Sequence, residues 1–343
     1  MILRGDCLEQ MRTLSTGSVQ TCVTSPPYFG LRDYGCEGQI GLEPTPDEFV
    51  AKLVEVFREV RRLLRDDGTL WLNLGDSYAG GGCGSRNAEK WPKQSRNDHM
   101  VTHGKRMTGL EAKQLLGIPW RVAFALQLDG WYLRQDIIWS KPNPMPESVT
   151  DRCAKAHEYL FLLSKEPCYY FDHESIKEPV AASSVARLSQ DVGSQAGSNR
   201  VPGKTNGPMK AVRSKANSFK REGSKREQSI PGQTVGTHRP DRAESKYGLD
   251  TRNKRSVWTI STMPFRDAHF ATFPERLIEP CILAGAPAGA TVLDPFMGAG
   301  TTAVVCERLG RKWVGCELNS DYAAIAEARI RAVQPGLSFG ACV

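Results

Sequence analysis

Four consecutive residues, Ser25-Pro26-Pro27-Tyr28, combine groups that could hold an amino group on a flat ring. They follow Val19–Thr24, an apolar run rich in β-branched residues that predicts a buried strand. The two prolines lack N–H donors and restrict φ, so the carbonyls just before them are left to accept hydrogen bonds from a ligand. The serine adds a hydroxyl acceptor and the tyrosine adds an aromatic ring. Taken alone, the turn is equally typical of a rigid strand end.

A second motif near the carboxyl end has the features of a nucleotide-type cofactor site. The apolar strand predicted at Thr291–Asp294 runs into a loop that contains Gly298 and Gly300. These glycines let a ligand approach the backbone, and the helix predicted to follow offers free N–H groups at its start. The next predicted strand ends at Glu317, where an acid can bind ribose hydroxyls. The full G-x-G-x-x-G pattern is absent, which disfavours a dinucleotide site.

The elements that position these motifs alternate between strand and helix, which predicts a doubly wound α/β sheet. Apolar residues spaced for one helix face follow Asp47, and Gly68 is predicted to end that helix. A helix is also predicted from Pro119 to about Leu128. The other predicted elements are strands at 69–74, 133–139 and 159–163 and a helix from Thr302 to about Leu309.

Together the two motifs resemble those of the amino-group DNA methyltransferases that use S-adenosylmethionine, in the permuted order called the β group. In that order the Ser/Asp-Pro-Pro-Tyr turn precedes the cofactor motif, as it does here. The resemblance covers residues 1–178 and 258–335. It includes the segments Gly5–Leu8, Leu70–Asn73, Asp136–Asn143, His157–Tyr159 and His269–Pro274. In the cofactor loop, Ala299 stands where serine is common in the family, which removes one hydroxyl contact.

The resemblance implies an α/β fold with a doubly wound, mostly parallel, Rossmann-like methyltransferase sheet and an inserted basic target-recognition region. The implied catalytic residues are Ser25, Pro26, Pro27 and Tyr28. The Ser25 hydroxyl and the Pro26 carbonyl would accept hydrogen bonds from the exocyclic amine of a base, and Tyr28 would stack on that base. The target base must leave the duplex to reach such a pocket. Phe29 and Tyr34 are equally consistent with the pocket wall and with the core.

The resemblance also implies the residues that bind S-adenosylmethionine. Phe296, Gly298 and Gly300 would surround its methionine part, and Thr301 would donate a hydrogen bond. Glu317 would bind the ribose. The remaining residues of the implied site are Asp6 near the adenine amine, Asp294 in the cofactor motif, and His269 and Phe270 before the first cofactor helix. An aspartate after a glycine is equally typical of a turn, and a single histidine is more often structural.

The positive charge is concentrated in one internal segment. Residues 181–256 contain 16 Lys and Arg against 6 Asp and Glu, although the whole chain has a net charge of only +7. Such a composition is typical of a disordered, solvated insertion, and it also suits a module that orders on DNA. The predicted organisation is a catalytic half at 1–178 with a mobile loop at about 79–109, a basic, partly disordered target-recognition insertion at 179–257, a cofactor-binding half at 258–335, and a tail at 336–343.

The composition predicts a cytoplasmic enzyme with no membrane segment and no metal site. No apolar stretch approaches the roughly 20 residues needed to cross a bilayer. The ten cysteines include no Cys-x-x-Cys pair, so they are expected to be reduced and mostly buried. The expected partner is double-stranded DNA, and a homodimer and a cognate restriction endonuclease stay open.

Several alternative functions stay open at this point. The serine in the catalytic turn favours cytosine N4 over adenine N6 as the target amine, because family members with serine there mostly act on cytosine. Methylation of a cytosine ring carbon would need a reactive cysteine after a proline, and Cys168 and Cys281 are both in that position. Both are better interpreted as structural. A catalytically inactive DNA-binding regulator would require an altered motif, and both motifs are intact.

Overall fold

The computed structural model describes residues 1–80, 110–181, 251–262 and 272–333. Most of the predicted loop at 79–109 and most of the basic insertion lie outside the described residues, as do His269 and Phe270. The chain divides into two compact units, one formed by Met1–Ile176 with Arg255–Val343 and the other by Lys177–Lys254. The functions expected of these segments remain predictions.

The described strands form one large sheet and one small pair. Eight of them form the large sheet in the order β1-β10-β9-β2-β3-β5-β4-β8. The other two, β6 and β7, form an antiparallel pair within the second unit. The strands are β1 (Ile2–Arg4), β2 (Val19–Thr24), β3 (Leu64–Leu74), β4 (Tyr132–Ser140), β5 (His157–Ser164), β6 (Glu178–Pro179), β7 (Thr251–Arg252), β8 (Val257–Thr259), β9 (Thr291–Asp294) and β10 (Lys312–Glu317).

The large sheet is mostly parallel. Neighbouring strands from β1 across to β3 are parallel, and so are β4 and β8, whereas β5 is antiparallel to both of its neighbours. Strand β2, which precedes the catalytic turn, pairs directly with β9, which precedes the cofactor loop. Because the carboxyl ends of parallel strands meet at one edge of a sheet, this pairing brings together two motifs that are far apart in the sequence.

Helices cover both faces of the sheet, which confirms the predicted fold class. The described helices are α1 (Cys7–Arg12), α2 (Pro46–Leu63), α3 (Ile118–Leu128), α4 (Glu275–Gly285), α5 (Thr301–Arg308) and α6 (Ser320–Ala332). Successive strand residues point to opposite faces. Cys22 therefore packs in the core formed with α1, α2 and α3, while Val23 packs in a second core with α4 and α5.

Helix α2 begins as the sequence predicts but ends earlier. Its start is capped by Thr45, whose side chain accepts a hydrogen bond from the Glu48 N–H, and Pro46 occupies the first turn. The expected stop at Gly68 is wrong, because the helix ends at Leu63 and β3 starts at the next residue. Gly68 lies within β3, where a Cβ atom would come within 2.9 Å of the Arg65 carbonyl oxygen. The glycine is needed for this close approach rather than to end a helix.

None of the helices in the described ranges is long and apolar enough to cross a membrane.

Candidate active site

One buried carboxylate connects the catalytic turn to the cofactor motif through hydrogen bonds. Asp294, the last residue of β9, accepts hydrogen bonds from the hydroxyls of Thr24 at 2.7 Å and Thr302 at 2.6 Å. It also accepts one from the Phe296 N–H at 3.1 Å. Burial raises the pKa of Asp294 to about 6, although these three hydrogen bonds act in the opposite direction. Thr24 directly precedes Ser25, so the carboxylate ties the start of the catalytic turn to helix α5.

A cavity of about 290 Å³ lies where the two motifs meet. It is lined by residues from both motifs, which the sequence separates by most of the chain. The predicted site residues that line it are Asp6, Ser25, Pro26, Pro27, Tyr28, Phe296, Gly298, Thr301 and Glu317. Asp294 and Gly300 are not among the lining residues.

The hydroxyl of Tyr28 belongs to a polar cluster at one end of the cavity. It donates a hydrogen bond to Glu158 Oε2 at 2.7 Å and accepts one from Asn73 Nδ2 at 2.9 Å. The same Asn73 amide also donates to Glu158 Oε2 at 2.9 Å, and the Lys141 ammonium pairs with Glu158 Oε1. Desolvation by burial and the Glu158 charge raise the pKa of Tyr28 well above its ordinary value. The phenol is therefore neutral and serves as a positioned ring and hydrogen-bond partner.

The Tyr28 ring lies against the backbone of Gly75, just after β3. A Cβ atom at Gly75 would come within 2.5 Å of Tyr28 Cε2, so no larger residue fits without moving the ring. The ring is thus held from two directions, by the hydroxyl contacts on one side and by the glycine on the other. A ring held in this way can present one fixed face to a planar ligand.

The opposite end of the cavity contains an acid in the position expected for ribose binding. Glu317, at the end of β10, accepts hydrogen bonds from the Gly298 N–H at 2.7 Å and the Asn319 N–H at 2.8 Å. Burial raises its pKa from the ordinary value, and the backbone hydrogen bonds oppose that shift. Each carboxylate oxygen accepts one of these bonds and retains a further lone pair. The carboxylate can therefore also accept hydrogen bonds from hydroxyl groups in the cavity.

Asp6 is both a helix cap and a lining residue. Its Oδ1 atom accepts hydrogen bonds from the N–H groups of Leu8 and Glu9 at the start of α1. A turn role and a role near the adenine amine, which the sequence leaves open for Asp6, are therefore compatible. One oxygen caps the helix, and the side chain also borders the cavity.

The glycines and the threonine of the cofactor loop have different structural roles. Gly298 has φ near 51°, and a Cβ atom there would meet nothing within 4 Å. Gly300 has φ near 77°, and a Cβ atom there would lie 2.8 Å from Ala326 Cβ in α6. Gly300 is therefore required for the close packing of α6, and its expected role in cofactor binding stays a prediction. Thr301 borders the cavity, and its Oγ1 accepts a hydrogen bond from Arg329 at 3.2 Å.

The structure separates the two aromatic residues that the sequence leaves ambiguous. Phe29 is buried and packs against Phe49 of α2, with ring centroids 5.5 Å apart, so it belongs to the core. Tyr34 lines the cavity and makes an edge contact with Tyr322 of α6. Tyr34 is therefore part of the pocket wall at the Glu317 end.

Sequence reasoning assigns no role to several residues that form this site. Trp139, Lys141 and Glu158 line the cavity, and Asn73 holds the Tyr28 hydroxyl. Their signal in the sequence is weak. Lys141 directly follows β4 and Glu158 lies near the start of β5, and only the antiparallel pairing of these strands brings the two side chains together.

The two cysteines that follow prolines lie away from the cavity. Cys281 is buried in α4, and its thiol contacts the Leu277 carbonyl. Cys168 is exposed and lies outside the strands. Neither lines the cavity, which argues against a thiolate attack on a ring carbon.

Comparison with known sequences identifies relatives over nearly the whole chain. A family profile described as "DNA methylase", for N6 and N4 enzymes, matches residues 19–328. The Type II methyltransferase M.SmaI of Serratia marcescens is 42% identical over 96% of this chain and 90% of its own length. The Type II methyltransferase M.Cfr9I of Citrobacter freundii is also 42% identical, over 96% of this chain and 87% of its own.

Solved structures share the fold at low sequence identity. The cytosine-N4-specific PvuII DNA methyltransferase superposes with a TM-score of 0.58 at 19% identity, covering 96% of this chain and 85% of that one. A putative DNA modification methylase of Thermus thermophilus, complexed with S-adenosyl-L-methionine, gives a TM-score of 0.52 at 21% identity, covering 98% and 96%. These likenesses support the mixed, mostly parallel sheet described above.

Proposed function

This chain belongs to the DNA methylase family of N6 and N4 enzymes, and we propose that it methylates the exocyclic N4 amine of cytosine in double-stranded DNA. The observation that supports methyl transfer to an exocyclic amine most directly is the shared cavity. The Ser25–Tyr28 turn lines the same cavity as Gly298 of the cofactor loop and Glu317. An amine held by the turn would therefore face a methyl donor held by the cofactor loop and Glu317.

The methyl donor is S-adenosylmethionine, which supplies a methyl carbon on a sulfonium centre. The residues of the cavity fit this donor. Glu317 retains lone pairs for the ribose hydroxyls, and Gly298 leaves open space where a side chain would otherwise project. The ring of Phe296 and the carboxylate of Asp6 line the same end. Acceptors and an aromatic surface suit a ligand that combines hydroxyls, a flat heterocycle and a positive charge.

The catalytic turn supplies acceptors for an amine that is otherwise a poor nucleophile. The lone pair of an exocyclic amine is delocalised into the ring. Hydrogen bonds from the amine to the Ser25 hydroxyl and the Pro26 carbonyl favour a tetrahedral nitrogen with a localised lone pair. Pro27 restricts the turn, and Tyr28 stacks on the base. Positioning the nitrogen in line with the methyl carbon then contributes much of the rate.

The target base has to leave the duplex before it can enter this cavity. Flipping the base costs a few kcal/mol of stacking and pairing, which contacts to DNA must offset. We place those contacts in the basic segment at 181–256, where Lys and Arg would neutralise phosphates. The recognition sequence is a property of that segment.

Cytosine is proposed ahead of adenine because residue 25 is serine and because the PvuII enzyme, which shares the fold, is described as cytosine-N4-specific. Adenine N6 is the alternative. A cognate restriction endonuclease, a homodimer and a cytoplasmic location are further proposals, and the first is supported by relatives named as type II methyltransferases.

The first prediction concerns Ser25. Ser25→Ala removes one of two acceptors for the amine, so we expect methyl transfer to fall by about a hundredfold or more, by analogy with the loss of one transition-state hydrogen bond. The measurement is transfer of a tritium-labelled methyl group from S-adenosylmethionine to DNA. Digestion to nucleosides and mass analysis should then give N4-methylcytosine.

The matched control is Ser18→Ala, an exposed serine before β2 whose hydroxyl contacts only the Ser15 carbonyl among the described residues. It should retain full activity. Unreduced methyl transfer by Ser25→Ala would refute the assigned role, and N6-methyladenine as the product would refute the proposed target.

A further inference from the structure

One ion pair in the cavity wall contains a lysine that has no role assigned so far. Lys141 and Glu158 pair there, and their side chains are only 18% and 15% exposed. The Lys141 ammonium also lies 4.3 Å from the centroid of the Trp139 ring. Removing two charges from water is costly, so an ion pair in this position is weak evidence for stability alone. A role in ligand recognition is the alternative explanation.

The backbone around Lys141 is held on two sides. Its N–H donates to the Ala156 carbonyl at 2.8 Å, and the Ser140 carbonyl accepts from the Ile260 N–H at 3.0 Å. The indole N–H of Trp139 donates to the Ile260 carbonyl at 2.8 Å. The lysine therefore projects from a fixed point at the end of β4.

Within this cluster, both oxygens of Glu158 accept hydrogen bonds, whereas Lys141 has donors to spare. Oε1 of the glutamate pairs with the ammonium, and Oε2 accepts from both Tyr28 and Asn73. An ammonium has three N–H donors. Within the part of the chain that the structure describes, Glu158 is the one side-chain acceptor that contacts it. Lys141 therefore has donors available for a ligand in the cavity.

The position of Lys141 places those donors at the end of the cavity where the target base would lie. Glu158 links the lysine to the Tyr28 hydroxyl, and Tyr28 belongs to the catalytic turn. Among the described residues that line the cavity, Arg32 is the other basic one, and its charge acts on Tyr34 and Tyr322, at the Glu317 end. The two cations thus border different parts of the site.

Cytosine and adenine present different groups to a donor in this position. When the amine is held by the catalytic turn, the neighbouring ring nitrogen is an acceptor in both bases. The next position around the ring is the O2 carbonyl in cytosine and a C–H group in adenine. A fixed ammonium would donate a hydrogen bond to O2 of cytosine, whereas adenine would offer that N–H no acceptor. Polar groups that lose their partner discriminate strongly between substrates.

We propose that Lys141 donates a hydrogen bond to O2 of the flipped cytosine and so selects cytosine over adenine. This inference rests on the proposed cytosine N4 activity. Glu158 holds the ammonium toward the base and at the same time fixes the Tyr28 ring that stacks on it. Lys141 is a specificity-determining residue, and Glu158 is a positioning residue.

The test compares two substrates in two proteins. The substrates are duplexes that carry the recognition sequence found by single-molecule sequencing of DNA from cells that express the protein. In one duplex the target is cytosine. In the other it is a 2-aminopyridine C-nucleoside, which keeps the amine and the ring nitrogen but lacks O2. The full-length wild-type protein and Lys141→Met are each assayed for kcat/KM on both.

We expect the wild type to prefer cytosine over the analogue by roughly ten- to a hundredfold, the range for a hydrogen bond to a charged group. Lys141→Met should lose most of its activity on cytosine and little on the analogue, so its preference should fall close to one. Lys141→Arg keeps charged donors and should retain part of the preference. If Lys141→Met fails to fold because Glu158 loses its partner, the double variant Lys141→Met/Glu158→Gln, which removes both charges and leaves no donor at residue 141, provides the same comparison.

Lys165→Met is the matched control, because Lys165 is similarly buried at 15% exposure but pairs with Asp66 away from the cavity. Its preference between the two substrates should equal that of the wild type. A preference unchanged in Lys141→Met would overturn the inference while leaving the N4 activity intact. A wild-type product of N6-methyladenine would instead overturn the proposed function itself.

Discussion

At the scale of single residues, the least expected feature is that Asp294 connects parts of the site without lining the cavity. Its carboxylate is buried and accepts three hydrogen bonds, two of them from threonines that belong to opposite halves of the catalytic core. The residue is part of the cofactor motif, yet it does not line the cavity. We therefore propose that it positions the catalytic turn relative to α5 rather than binding the donor.

The raised pKa of Asp294 gives a pH-dependent stability with a defined sign. The folded protein binds this proton more tightly than the unfolded chain, because the pKa rises from 3.8 to about 6 on folding. Its contribution is therefore fully present below the unfolded pKa and is lost as pH rises through the folded pKa. Asp294→Asn removes the titration. Urea unfolding of both proteins between about pH 4 and about pH 7 should show their stability difference changing with pH.

The sign of the pH dependence follows from the raised pKa. The free energy of unfolding of the wild type should fall relative to that of Asp294→Asn as the pH rises across this window. A difference that stays constant would show that Asp294 titrates with an ordinary pKa in the folded protein.

At the scale of secondary-structure elements, the cofactor loop depends on how closely α6 packs against it. Gly300 provides the left-handed backbone turn before α5 and leaves room for Ala326 of α6. Arg329 from the same helix donates to the Ala299 carbonyl and to Thr301. Helix α6 therefore holds the loop in place through one steric contact and two hydrogen bonds.

Substitution of Gly300 separates backbone strain from packing. Gly300→Ala should destabilise the protein by about 1 kcal/mol for the positive φ, and by a further 1–3 kcal/mol, roughly, for the overlap with Ala326. Gly289→Ala is the matched control, because Gly289 has φ near 76° but a Cβ atom there meets nothing within 4 Å. The free energy of unfolding of each variant, measured in urea, gives the two terms. Equal losses in both variants would mean that the α6 contact contributes nothing.

At the scale of the whole molecule, the cavity is lined by residues from the first, middle and last parts of the chain. Asp6 and the catalytic turn come from the first part, Lys141 and Glu158 from the middle, and Phe296 to Glu317 from the last. A ligand bound there contacts segments that are distant in sequence, so binding should stabilise the catalytic core as a unit.

Saturation with S-adenosylmethionine should therefore raise the melting temperature. At about one hundred times Kd the expected gain is about 2.7 kcal/mol in the free energy of unfolding. Glu317→Gln removes the charge at the proposed ribose contact and should reduce this gain, whereas Glu55→Gln, an exposed change on α2, should not. Differential scanning fluorimetry of each variant with and without the ligand measures the effect. An equal shift in Glu317→Gln would exclude Glu317 from the cofactor site.

The amino-acid sequence alone was sufficient for the fold class, for most of the strands and for the two motifs of the site. These features are local. A run of β-branched residues predicts a strand, and a Ser-Pro-Pro-Tyr turn or a Gly-x-Gly loop is recognisable within a few positions. The helix end at Leu63 was not predictable in this way, because Gly68 is required by its close approach to the Arg65 and Gln20 carbonyl oxygens within the sheet and does not end a helix.

Only the tertiary structure decided which residues meet. The pairing of β2 with β9 brings Ser25 beside the cofactor loop, and the pairing of β4 with β5 brings Lys141 to Glu158 and Tyr28. Asp294 and Gly300, by contrast, do not line the cavity. Such contacts depend on the order and direction of strands that lie far apart in the chain. Local sequence determines what each residue can do, and the sheet determines which residues do it together.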